Sequence, residues 1–271
     1  MSKIIAVANQ KGGVGKTTTS VNLAAFVALM GRRVLLVDID PQGNTSSGLG
    51  VEKNKLEASI YDAIVGDAEA SDVVVPTTVK NLAVLPSHIT MAGLESEMVN
   101  LPNREKILRT ILTPMRNHFD YIFIDCPPSL GLLTVNALTA ADSVLIPIPG
   151  EFFALEGLSQ LMNTIKLAKQ HLNQQLEVEG VLFTLFDARS NLANSVADEV
   201  IRFFGAKVFN TRIPRNIRLG EAPSFGLPIM QFDPKSTGSV SHLALAIEFL
   251  NRCGDTKYNK ITNLNSLKVK L

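Results

Sequence analysis

The sequence predicts an α/β fold: a single domain built as a doubly wound, mainly parallel sheet with helices on both faces. Three observations predict it. Short apolar runs of strand length alternate with segments of helical period, the first run feeds a glycine-rich turn that opens a helix, and aspartates stand at the carboxyl ends of later runs. Strands alternating with helices call for right-handed crossovers, which cover both sheet faces and gather ligand-binding residues at the carboxyl ends of the strands.

Ile4 to Ala8 (I-I-A-V-A) is an uninterrupted apolar run, as a strand buried on both faces requires. Asn9 to Gly15 then forms a glycine-rich turn, and a helix opens at Lys16 and ends at Gly31. Gly12, Gly13 and Gly15 let successive backbone N–H groups converge on one point, where the helix adds its positive dipole end. Such a cradle suits phosphate. Lys16 supplies a mobile cation for the outer phosphates of a triphosphate, and Thr17 a hydroxyl for a bridging Mg²⁺. The ordinary phosphate loop has glycine where this chain has Gln10, and a second lysine, Lys11, stands inside the turn. Spacing alone leaves Lys11 either in solvent or directed at a ligand.

Val34 to Val37 reads as the second strand, followed by Leu82–Leu85, Tyr121–Ile124, Val144–Ile148 and Val181–Leu185. Helical segments fall at Ser59–Val65, Arg104–Asn117, Thr134–Ala141, Leu155–His171, Asn191–Phe204 and Ser241–Asn251. The second strand ends in V-D-I-D-P-Q-G-N. Asp38 and Asp40, one residue apart at a strand end, repel unless a cation or water network is shared between them. Asp40-Pro41-Gln42-Gly43 is also good turn chemistry in its own right. The run Y-I-F-I-D-C-P-P-S places Asp125 at a strand end, as a carboxylate that holds Mg²⁺ through water would be placed. Pro127 and Pro128 force an extended exit, suited to a segment that senses the outermost phosphate.

Bulk properties narrow the class. Hydrophobic content of 46% with 19% charged residues supports one substantial core. A net charge of +1 excludes a globally basic nucleic-acid wrapper while allowing a local basic face. Cys126 and Cys253 make neither a disulfide framework nor a metal cluster, which fits a reducing compartment and argues against an iron–sulfur carrier. The N-terminus enters a strand without a signal peptide, and no apolar run approaches a membrane span, so an intracellular protein is expected.

K-G-G-V-G-K-T resembles the deviant Walker A signature of the ParA/MinD group of dimeric ATPases. The segments D-C-P-P-S-L-G-L-L-T-V-N-A-L, E-F-F-A-L-E-G-L and I-P-R-N-I-R-L-G-E-A-P-S-F-G-L-P-I narrow the resemblance to the chromosomal ParA (Soj) subgroup, over about Lys3 to Leu250. Pro149-Gly150 before Glu151 departs from that pattern. The resemblance implies an ATPase using ATP and Mg²⁺. Its nucleotide-binding set is Lys11, Gly12, Gly13, Val14, Gly15, Lys16, Thr17 and Thr18, joined by Pro214, Arg215 and Asn216. Thr17, Asp38 and Asp125 serve the metal, Asp40 orients the attacking water, and Lys11 reaches the partner's nucleotide in an ATP-dependent homodimer. Lys11, Lys16 and Asp40 are then the catalytic residues.

The resemblance further implies non-specific double-stranded DNA binding through Arg189 and Arg218, a ParB-type centromere-binding partner that stimulates hydrolysis, and cytoplasmic, nucleoid-associated action in origin segregation, with replication initiation as a further role. No zinc ligands, recognition helix or aromatic stacking platform are evident, so binding directed at phosphates is expected. Surface arginines are also often merely solvated, and Arg215 can instead touch the nucleotide base. Residues 1–252 make the ATPase domain, and 253–271 a flexible tail. Within that tail Ile261, Leu264, Leu267 and Leu271 fall at helical spacing among lysines, a weak likeness to the membrane helix of MinD-type relatives. The three asparagines of the tail argue against membrane binding. A MinD-type membrane-cycling division ATPase is the alternative function.

Overall fold

The computed structural model describes residues 2–258. Strands β1 (Lys3–Val7), β2 (Val34–Asp38), β3 (Val75–Pro76), β4 (Leu82–Leu85), β5 (Tyr121–Asp125), β6 (Ser143–Pro149), β7 (Glu177–Phe186) and β8 (Val208–Pro214) form one sheet in the order β3-β4-β2-β5-β1-β6-β7-β8. Every pairing is parallel except β3 on β4. This is the doubly wound α/β fold that the alternation of apolar runs predicts.

Successive side chains of a strand point to opposite faces, and the core divides accordingly. Ile4, Ala6 and Ala8 of the first strand and its exit pack with Leu35 and Val37 on one face, beneath the helices Leu132–Ala140, Ala154–His171 and Asn191–Phe204. Ile5, Val7, Leu36 and Phe123 face the other way, against helix α1 (Lys16–Leu29) and the helix Thr237–Arg252. There the Phe249 ring lies 5.3 Å from Tyr121 and 5.5 Å from Phe123, an aromatic cluster that fastens the last helix to the sheet.

Sheet topology sets the site. From β1 the chain crosses to β2 on one side, whereas β5 connects to β6 on the other, so the carboxyl end of β1 lies where the winding reverses. Crevices for ligands open at that point.

Several boundaries differ from the sequence expectation for local reasons. The last helix starts at Thr237 rather than Ser241, because the Ser236 hydroxyl accepts from the Ser239 N–H at 3.2 Å and caps the first turn. The expected helix Arg104–Asn117 shortens to Ile107–Met115, since Arg104 turns its guanidinium onto the Val99 carbonyl at 2.7 Å. Strand β8 was not expected: V-F-N-T-R-I-P mixes polar residues into a sheet-edge strand whose outer side needs no apolar cover. The tail expected from Cys253 is packed over its described part. Asp255 pairs with Arg32, and the Tyr258 hydroxyl donates to the Met30 carbonyl beyond the end of α1. Residues 259–271, with the apolar spacing noted above, lie outside the described residues. Among the described residues, no helix is long and apolar enough to cross a membrane.

Candidate functional site

The turn after β1 curls as its glycines allow. Gly13 and Gly15 take left-handed φ values of 71° and 84°, and Gly15 hands the chain directly into α1 at Lys16. Side chains from distant elements brace the loop. Asn9 donates to the Pro147 carbonyl at 2.8 Å and accepts from the Lys11 N–H at 3.0 Å, while the Thr184 hydroxyl donates to the Val14 carbonyl at 2.7 Å. Thr184 sits where β7 loses register with β8, and next to it Leu185 holds φ 51°, an unusual value for a branched residue. The irregular strand thus serves to hold the loop.

Lys16 is buried, with 6% of its surface exposed, and its ammonium donates to the Lys11 carbonyl at 3.1 Å. Burial pulls its pKa below the usual value, opposed by the nearby carboxylates of Asp125 and Asp40. Next to it the Thr17 hydroxyl donates to Asp125 Oδ2 at 2.8 Å. Thr45 donates to the same oxygen at 2.7 Å, and Ser20 to Asp125 Oδ1 at 2.9 Å. Burial raises the Asp125 pKa and these three hydroxyls hold it down.

Asp38 is the register partner of Asp125 across β2 and β5, so the parallel pairing itself sets the two carboxyls side by side. Asp38 Oδ2 accepts from the Ser46 N–H at 2.8 Å and the Ser46 hydroxyl at 2.7 Å. Full burial, then the charge of Asp125, pushes its pKa up to about 7. Two buried acids side by side relieve their repulsion by keeping a proton on one, as the raised Asp38 pKa allows, or by sharing a cation. Among the described residues no cluster of three or more His, Cys, Asp or Glu side chains could hold a metal. Two carboxyls and a hydroxyl instead fit Mg²⁺, which takes one or two carboxylates and fills its remaining positions with water and substrate phosphate. Because Thr17 gives its proton to Asp125, the lone pairs of its oxygen remain for such an ion.

Asp40 is both the turn former and a cavity residue. Its carboxylate accepts from the Gln42 N–H at 2.9 Å, its carbonyl from the Gly43 N–H at 2.9 Å, and it lines the same cavity as Gly12, Lys16 and Thr17. That cavity measures about 580 Å³, within the roughly 300–1,000 Å³ of small-molecule sites. Pro214 at the end of β8, Arg215 and Asn216 just after it, and Thr18 on α1 also line it. Lys11 leaves the cavity, and its ammonium pairs with Glu151 at 2.8 Å, both side chains partly exposed.

Arg189 and Arg218 stand apart from the cavity lining. Arg189 lies in the loop after β7, where its guanidinium forms a two-point pair with Asp187 at 3.0 Å on each side. Arg218, on the short helix Ile217–Glu221, pairs with Glu221 at 2.8 Å and Asp233 at 3.2 Å. Sequence reasoning missed Ser20, Thr45, Ser46 and Thr184, because a hydroxyl carries no signal until its acidic or carbonyl partner is placed beside it. Glu151 and His242 escaped for the same reason, although both touch the site.

The profile of an AAA domain matches residues 2–178. The chain is 58% identical over 248 residues to the sporulation initiation inhibitor protein Soj of Bacillus subtilis strain 168, covering 92% of this chain and 98% of that protein. It is 53% identical over 252 residues to the chromosome partitioning protein ParA of Myxococcus xanthus strain DK1622, covering 93% and 89%. Among solved structures, cobyrinic acid a,c-diamide synthase from Mycobacterium smegmatis, with bound ATP analog and magnesium, superposes with a TM-score of 0.83 at 36% identity, covering 95% of this chain and 98% of that one.

Proposed function

This chain belongs to the Soj/ParA family of chromosome-partitioning ATPases, and from that premise we propose a nucleotide-gated switch that dimerises on Mg·ATP, coats DNA without sequence preference, and is reset by hydrolysis. The observation that supports it most is the Thr17–Asp125 hydrogen bond, which ties the glycine loop to the carboxylate of β5 across the parallel sheet.

In this reading the amides of Gly12 to Gly15 and the start of α1 bind the phosphates, and Lys16 lies along the outer ones. Thr17, Asp38 and Asp125 would hold Mg²⁺, which would neutralise charge on those phosphates. Thr18, Pro214, Arg215 and Asn216 line the cavity beside the loop, whereas Val14 is buried with its carbonyl held by the Thr184 hydroxyl and meets the phosphates only through its backbone in this reading. Asp40 orients water toward the outermost phosphate, and Lys11 leaves Glu151 to meet the nucleotide of the second subunit. A cation arriving in trans is worth about 10³ to 10⁵ in rate where arginine supplies it. The catalytic groups are thus Lys11, Lys16 and Asp40. Residues 1–252 carry this ATPase domain.

DNA binding is assigned to Arg189 and Arg218, which exchange their carboxylate partners for backbone phosphates. One monomer offers few such contacts, and joining two sums them on one duplex. A ParB-type partner stimulates hydrolysis, and the cycle runs in the cytoplasm on the nucleoid, moving origins and bearing on replication initiation.

The test uses the full chain with Mg·ATP and with Mg·ADP. Light scattering should give a dimer only with ATP, and fluorescent non-specific DNA should be bound by that dimer at low salt. Absence of DNA binding combined with ATP-dependent co-sedimentation with vesicles of anionic lipid would replace this reading with the membrane-cycling one.

A further inference from the structure

The turn that carries Asp40 is held from outside by one residue at the exit of the neighbouring strand. Strand β4 pairs in parallel with β2, Val37 beside Leu85, and the same register carried on by two residues brings Ser87 next to Ile39 and the turn. Ser87 has no exposed surface. Its hydroxyl donates to the Asp40 carbonyl at 2.8 Å, and its N–H donates to the Ser46 hydroxyl oxygen at 3.0 Å. The Ser46 hydroxyl in turn donates to Asp38 Oδ2 at 2.7 Å. Ser87 therefore reaches both acids of V-D-I-D, one directly and one through Ser46.

The Asp40 carbonyl does not need the Ser87 hydroxyl to be satisfied. It already accepts from the Gly43 N–H at 2.9 Å, the bond that closes the turn. A second donor on an oxygen already met adds direction rather than satisfaction. The Ser87 bond completes a set of fixings around Asp40. Its N–H donates to Asp38 Oδ1 at 3.3 Å, and its carboxylate Oδ1 accepts from the Gln42 N–H at 2.9 Å. Asp40 keeps 7% of its surface and lines the glycine-loop cavity, whereas Ser87 does not line it. A carboxylate that must aim a water depends on the set of its own backbone, since misplacement by about 1 Å can cost on the order of 10² in rate.

Resting on the reading of Asp40 as the residue that orients the attacking water, we propose that Ser87 is a positioning residue for hydrolysis, which holds the Asp40 backbone so that the carboxylate keeps its aim. Ser87 acts on turnover and leaves nucleotide binding alone, because the glycine loop, Lys16 and Thr17 are held by other partners.

The test compares the full chain as wild type, Ser87→Ala, Asp40→Ala and the double variant, by single-turnover hydrolysis and by Mg·ATP affinity from competition with a fluorescent ADP analogue. Ser87→Ala should lower the hydrolysis rate by on the order of tenfold to a hundredfold, with Mg·ATP affinity and ATP-dependent dimerisation unchanged. In the Asp40→Ala background the same change should have no further effect, because the carboxylate whose aim it sets is gone. A wild-type rate in Ser87→Ala overturns the proposal, and so does a fall that persists in full on top of Asp40→Ala. Affinity lost in step with rate would show a merely structural role and overturns it too. Should Ser87→Ala fold poorly, Ser87→Cys keeps the bulk with only a weak donor and is expected to show the same fall. Turnover of Asp40→Ala at the wild-type rate is a different result, which removes the Asp40 reading on which the proposal stands.

Discussion

Lys11 Nζ lies 2.8 Å from Glu151 Oε2, joining the glycine loop to the start of the connection that follows β6. With 39% and 50% of the two side chains exposed, such a pair is worth about 0–1 kcal/mol, which a partner subunit's phosphates can readily outbid. Lys11→Ala should therefore leave the monomer folded and Mg·ATP bound, while ATP-dependent dimers and hydrolysis are lost. Calorimetric ATP titration and light scattering on the same sample check both halves. A stable dimer of the variant would place Lys11 in solvent.

Gly12→Val separates folding from association. A Cβ at Gly12 would meet nothing closer than the Pro128 Cβ at 4.0 Å, so the chain itself has room for a side chain there. The thermal midpoint should stay near that of the wild type and ATP should bind. The branched side chain should then block approach of the second subunit, leaving a monomer in ATP. Seeing the dimer form normally would count against loop-to-loop packing.

Asp40→Ala removes a carboxylate that both lines the cavity and accepts from the Gln42 N–H at 2.9 Å. Loss of the turn contact should cost about 1 kcal/mol of stability. Turnover should fall by on the order of 10² or more, and the ATP-bound dimer should accumulate. Single-turnover hydrolysis at the wild-type rate would leave Asp40 with its turn role alone.

Arg218→Ala tests the DNA face. Each phosphate contact contributes a slope of about 0.9 in log K against log salt, and a symmetric dimer carries each arginine twice. The salt dependence should drop by about two units for all sequences alike, with ATP binding intact. Arg189→Ala should behave similarly. Both arginines already hold carboxylates, so Glu221→Gln, which frees Arg218 from its 2.8 Å partner, should strengthen binding at low salt. Unchanged slopes in both arginine variants would move the DNA face elsewhere.

Buried in the helix Thr237–Arg252, His242 gives acid sensitivity a sign. Its pKa falls from 6.5 in the unfolded chain to about 4 in the fold, so between those values the unfolded state binds more protons. Stability contributed by the neutral ring is therefore full above about pH 6.5 and is lost as the pH falls toward 4, by at most ~3 kcal/mol. Urea melts of the wild type should weaken across that window more steeply than those of His242→Phe. Parallel slopes would mean that the ring is protonated without cost.

The α/β class, the glycine-rich loop and the three aspartates at or just past strand ends are legible in the sequence, because each is a local matter. Strand runs, helical period and a glycine turn express themselves within a few neighbouring residues. The glycines of the loop were legible since positive φ at Gly13 and Gly15 is a demand on single residues. Which residues meet is set by packing. Thr17 and Asp125 are separated by 108 positions, and Val14 and Thr184 by 170. Their contacts follow from strand order and register, which no local pattern encodes. The same holds for the Ser46 bonds to Asp38, the Glu151 hold on Lys11 and the Ser87 bond to Asp40: each is an ordinary residue until packing chooses its neighbour. Edge strand β8 stayed hidden for a related reason, since exposure at the sheet margin relaxes the apolar pattern by which buried strands announce themselves.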